Sequence, residues 1–106
     1  MIKKIFFISI ILLSTISFSQ KKSIDNLSAI PNPFTHSTKI NFNSTTNSTI
    51  ILSVKNVLGK TVFKKVFKTK LGKNSIFFYK EDLSSGMYIY SVQDKKKTIS
   101  KRLVIR

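Results

Sequence analysis

Residues 49–68 read TIILSVKNVLGKTVFKKVFK. Their first part alternates, with Ile50, Leu52 and Val54 on one face and Ile51, Ser53 and Lys55 on the other. A period of two is that of a half-buried strand. Leu58-Gly59-Lys60 follows as a hairpin turn whose glycine can take positive φ, and 61–68 returns rich in Val and Phe. The same pattern extends outward in both directions. Upstream, 38–43 alternates with Ile40 and Phe42 on one face, and 43–48 (NSTTNS) is turn chemistry, because Asn and Ser side chains bond their own backbone. Downstream, Leu71-Gly72-Lys73 turns the chain into 74–79, and 81–86 (EDLSSG) is a tight loop. Residues 87–93 then alternate Met87, Ile89 and Ser91 against Tyr88, Tyr90 and Val92. A turn at 94–97 leads to 98–106, where Ile99, Leu103 and Ile105 share a face with Lys101.

Short strands at regular spacing, with no helical period among them, predict an all-β fold: a small antiparallel β-sandwich of six or seven strands, with a barrel as the alternative. The expected core is Ile40, Phe42, Ile50, Leu52, Val54, Ile76, Phe78, Met87 and Ile89. Tyr88 and Tyr90, on the opposite alternate, are also read as core because of the area a ring buries.

The N-terminus has a different character. Lys3 and Lys4 precede an apolar run over 5–16, and Ser17-Phe18-Ser19 supplies the small residues a signal peptidase inspects. We expect a secretory signal over 1–19, cut before Gln20. A membrane anchor is the competing reading, but the run is shorter than the ~20 apolar residues a bilayer span needs. Residues 20–29 are a short polar lead-in that turns apolar at Leu27; Pro31-Asn32-Pro33 then excludes a helix, and the sandwich is expected over 30–106.

The chain carries 19 basic and 4 acidic residues, a formal net charge of +15. Losing Lys3 and Lys4 removes only two of those charges, so the exported part is itself basic. Asp25, Glu81, Asp82 and Asp94, with the single His36, are its conventional acid/base groups, and there is no cysteine. That stock does not build a hydrolytic or thiolate site, so no catalytic residue, cofactor or metal is assigned. His36 in a Thr-His-Ser loop has no carboxylate near it in sequence to orient it. Glu81-Asp82 lacks the further oxygen ligands of a Ca²⁺ loop, and the Asn-X-Ser/Thr triplets at Asn26, Asn43 and Asn47 are read as turns.

Four motifs in order carry a resemblance. They are Pro31-Asn32-Pro33-Phe34, an Ile-Leu-Ser-Val strand into Leu58-Gly59-Lys60, a loop and strand start containing Gly86 and Tyr88, and a terminal Lys101-Arg102-Leu103-Val104-Ile105 before Arg106. This series resembles the type A C-terminal sorting domain of the type IX (Por) secretion system. The resemblance implies an immunoglobulin-like sandwich that directs export across the outer membrane, with no enzymatic activity. It implies as partners the outer-membrane translocon and a surface sortase-like peptidase, and as location the periplasm in transit, then the cell surface or the medium. Such a domain normally follows a large cargo. Here about ten residues precede it, which leaves a stand-alone secreted domain and a segment of a larger gene product as the two readings.

Charge adds an expectation of its own. Residues 95–106 hold Lys95, Lys96, Lys97, Lys101, Arg102 and Arg106 and no acid. A field of that sign favours anionic partners such as lipopolysaccharide phosphates. Phe63, Phe67, Tyr88 and Tyr90 interleave with lysines as a nucleic-acid platform would, but export argues against that partner. The other reading of the whole chain is an exported adhesin-like sandwich with no sorting role.

Overall fold

The computed structural model describes residues 23–106, so the expected signal over 1–19 lies outside the described residues. Seven strands follow one another: β1 Ile24–Ile30, β2 Ser37–Ser44, β3 Thr49–Asn56, β4 Thr61–Lys68, β5 Gly72–Tyr79, β6 Gly86–Gln93 and β7 Thr98–Ile105. They form a three-stranded sheet ordered β1-β2-β5 and a four-stranded sheet ordered β4-β3-β6-β7. All strand pairs are antiparallel. In immunoglobulin terms β1, β2 and β5 stand where strands A, B and E stand, and β3, β6 and β7 where C, F and G stand. β4 lies beside β3 instead of completing the first sheet.

The alternation at 49–68 folds as expected. Ile50, Leu52 and Val54 are fully buried, facing Ile40, Phe42 and Phe78 of the other sheet within one core. Ile76, expected there too, is only half buried at the margin. The turn after β3 is organised by Asn56: its Oδ1 accepts the amides of Leu58 at 2.9 Å and Lys60 at 3.0 Å. Gly59 takes φ +87°, a conformation that any Cβ would strain.

Two expectations are corrected. Met87 and Ile89 do not belong to the core; they are 44% and 40% exposed, and Tyr88, Tyr90 and Val92 are buried in their place. Register is the reason. Residues directly opposite in a ladder share a face; Val92 lies opposite Leu52 and Tyr90 opposite Val54, so the β6 alternate carrying the rings must follow β3 inward. Leu103 opposite Tyr88 extends the same face into β7.

The second correction concerns the lead-in. Residues 24–30 form β1, which sends Ile24, Leu27 and Ala29 into the core. Its inward residues break the two-residue period because the register shifts between Asp25 and Ser28, where Asn26 takes φ +55°. Such a bulge inserts one residue and changes the phase of the strand, and Asn tolerates the left-handed conformation better than most residues.

Candidate functional site

The Pro31–Phe34 segment does not simply end a strand. It lies along the outer edge of β7, some seventy residues away in sequence. Asn32 Nδ2 donates to the Arg102 carbonyl at 3.0 Å, and the Val104 amide donates to Asn32 Oδ1 at 3.0 Å. The Asn32 carboxamide thus stands in for a peptide group, offering a donor and an acceptor to alternate positions of the terminal strand. Phe34 continues the ladder in the parallel sense: its amide donates to the Val104 carbonyl at 3.1 Å, and its carbonyl accepts the Arg106 amide at 2.8 Å.

Side chains hold this clasp in place. The Phe34 ring is 2% exposed and meets Phe78 edge-on at 6.1 Å between centroids. Buried Thr38 donates its hydroxyl to the Pro31 carbonyl at 2.6 Å. Proline on either side of Asn32 contributes no amide proton that would compete for the β7 carbonyls.

The remaining motifs are lateral neighbours of the clasp. Gly86 lies opposite Ile105 and Tyr88 opposite Leu103 across the β6–β7 ladder. Tyr88 also lies opposite Asn56 of β3, whose side chain builds the Leu58-Gly59-Lys60 turn. A cleft of about 210 Å³ lies between that turn and the β6 start, lined by Asn56, Leu58, Ser84, Gly86, Met87 and Tyr88 among others. The four motifs therefore form one row across the end of the four-stranded sheet, running from turn to β6 to β7 to clasp.

Sequence reading left three participants without their structural roles. Ser84 accepts the Tyr88 hydroxyl at 2.7 Å through its carbonyl, four residues upstream at the start of β6. That is the tyrosine corner of immunoglobulin-like sandwiches, and a Tyr following a Ser-Ser-Gly loop was its signal. Asn56 and Arg106 are the others; the first was detectable as an Asn at the head of a glycine turn, the second acts only through its backbone. Within the row, Leu58 is 88% exposed, and Lys60, Lys101 and Arg102 are exposed as well.

The opposite end of the sandwich holds Asp94. Burial works to raise its carboxyl, but the Ser23 hydroxyl, the amides of Lys97 and Lys96 and the Lys97 charge together hold it below the usual carboxylate range. Its Oδ1 accepts the amides of Lys96 at 2.7 Å and Lys97 at 2.8 Å, which shapes the β6–β7 turn.

Other candidates separate. His36 is exposed, and its carbonyl accepts the amide of Lys80, the residue just after β5, at 2.9 Å. Among the described residues no three His, Asp or Glu side chains cluster as metal ligands would. Tyr88 and Tyr90 are buried and Phe63 and Phe67 half buried, so those four rings present no open stacking platform.

The seven-stranded sandwich thus brings its four motifs into one row that ends at the clasped terminal strand. The chain belongs to the secretion system C-terminal sorting domain family, whose model matches residues 28–106. Among solved structures it is similar to the crystal structure of dimeric latent PorU from Porphyromonas gingivalis, with a TM-score of 0.62 and 16% identity. The similarity covers 74% of this chain and 9% of that one, and it extends to the fold. No curated protein matches. The domain is therefore a sorting module on the export route that leads through the periplasm to the cell surface or beyond.

Proposed function

We propose that the outer-membrane translocon of the type IX system reads the clasped end of β7. The observation that carries this reading is the Asn32 carboxamide bonded to both Arg102 and Val104, which makes the Pro31–Phe34 motif and the terminal motif one backbone-paired unit. Each motif supplies hydrogen-bond partners to the other. The translocon would then recognise a folded end, with Leu58, Gly59 and Lys60 flanking it and Gly86 and Tyr88 beneath it. Lys101 and Arg102 offer charge to an acidic receptor groove or to lipopolysaccharide phosphates. A surface sortase-like peptidase would act after transfer. In this scheme a signal over 1–19 takes the chain across the inner membrane, and whatever precedes the sandwich is cargo.

The test is a reporter carrying a signal peptide and fused to residues 20–106, followed in cells with and without the secretion system. Deleting 103–106 removes both ladder partners of Phe34 and should trap the reporter in the periplasm. Lys101→Gln with Arg102→Gln keeps the apolar face and both exposed positions, and stability should change little. If the charge variant is exported as well as the intact domain, recognition is by backbone and shape; if it stays folded and is trapped, recognition is by charge. The sorting reading is lost if a deletion variant shown to be folded still reaches the surface at the intact rate.

A further inference from the structure

The two lateral sides of the sandwich differ. On one side β1 and β7 approach within 8 Å between Cα atoms, and Asn32 and Phe34 close the rest of the β7 edge; on the other, β4 and β5 nowhere come so close. The β4/β5 side is an open seam. Along it lies a groove of about 400 Å³ lined by Lys65, Phe67, Ser75, Ile76, Phe77 and Tyr79.

The β5 edge of this seam is hydrogen-bonding surface. The Lys80 amide points to β2, donating to His36. Backbone groups alternate direction along a strand, so Phe78, Ile76 and Asn74 also point to β2. Lys73, Ser75, Phe77 and Tyr79 therefore aim their amides and carbonyls outward, and β5 has no partner strand on that side. The Phe77 and Tyr79 rings stack at 6.2 Å on the adjoining face and remain 56% and 54% exposed, with Lys39 Nζ 5.7 Å from the Phe77 ring centre.

Charge selects the occupant. Lys65 lies opposite buried Leu52 and so springs from the core-facing side of β4, yet it is exposed and lines the groove along the seam. An inward-directed lysine on an edge strand repels a second edge of like kind. Lys64 and Lys68 on the same strand, within a chain of net charge +15, add to that repulsion against a second copy. No acidic side chain lines the groove, so Lys65 is placed to receive a carboxylate.

We infer that the β5 edge is a docking site for an extended segment of a partner protein, added as an antiparallel strand. Apolar residues of that segment lie against Phe77 and Tyr79, and an acidic residue on its other face meets Lys65. Main-chain pairing supplies affinity and the alternate side chains supply specificity, as in other strand-addition complexes. The site lies on the side of the sandwich away from the clasp and goes beyond the sorting reading, since it requires no step of export.

The probe is a short acetylated and amidated peptide alternating threonine and valine around one central glutamate, titrated into the full chain with amide hydrogen exchange as readout. Binding should slow exchange at Lys73, Ser75, Phe77 and Tyr79. Lys65→Gln, or lysine in place of the peptide's glutamate, should weaken it by up to about fivefold, the size of an exposed ion pair. Ser75→Pro removes an outward amide that the β2 ladder does not use, so the fold should survive and binding should vanish. Ser75→Ala keeps that amide and should bind as the wild type does, although it loses the Ser75–Asn41 side-chain bond. The proposal is overturned if folded Ser75→Pro binds normally, or if the lysine peptide binds as tightly as the glutamate peptide. It is equally overturned if sedimentation shows the chain pairing with itself through this edge, with dissociation on Ser75→Pro.

Discussion

Asn32 Oδ1 accepts the amide proton of Val104 at 3.0 Å, which ties a loop near the start of the domain to its last strand. With the Nδ2 bond to Arg102, this side chain fills an edge position that otherwise belongs to a peptide group. Asn32→Ala should remove both bonds and destabilise the domain by about 1 to 2 kcal/mol, since each exposed bond contributes modestly. Hydrogen exchange at Val104 should accelerate in step with the lower melting temperature. Unchanged protection at Val104 would mean that the clasp is not formed in solution.

The inward face of β6 separates two truncations of similar chemistry. Leu52→Ala opens a cavity in the middle of the core and should cost about 2 to 5 kcal/mol. Ile89→Ala, on the outer face, should cost under about 1 kcal/mol. Urea melts of the two variants check the register, and equal losses would place Ile89 inside after all.

Tyr88→Phe retains the buried ring and deletes only the hydroxyl that bonds the Ser84 carbonyl. A loss of about 0.5 to 1.5 kcal/mol is expected from one such bond. Thermal melting should show it, with faster exchange confined to the loop before β6.

Asp94 makes stability depend on acid. Its carboxyl is held below the ordinary value in the folded chain, so the unfolded chain binds a proton first as pH falls. The contribution is whole above about pH 3.9, the usual Asp value, and is lost as pH drops through the lower folded value. Asp94→Asn should therefore be less stable than the wild type at neutral pH, and the gap should close near pH 2. The residue is only half buried, so solvent screening keeps the gap small. Denaturation melts across that range measure it; a gap that widens in acid would contradict the sign.

Much of this protein was legible in one dimension. Alternation at Ile50, Leu52 and Val54, the glycine turn at Gly59 and the even spacing of strands specify an all-β sandwich, because a period of two leaves a strand with one face to bury. The four ordered motifs were enough to point to the family. Strand 1 was not legible, because the bulge at Asn26 breaks the period that reveals a strand. Nor was the inward face of β6: Met87 and Ile89 are as apolar as Tyr88 and Tyr90, and only pairing with Leu52 and Val54 decides between two alternates of equal hydrophobicity. The clasp is the plainest case. Composition shows a proline-flanked Asn32 and a terminal strand, but a hydrogen bond between residues 72 apart exists only once both sheets have closed on the core and set the β7 edge within reach of that side chain. Local pattern determines which segments become strands; the partners their edges and faces meet are decided by packing of the whole domain, where the bonds of distant residues are either made or left to water.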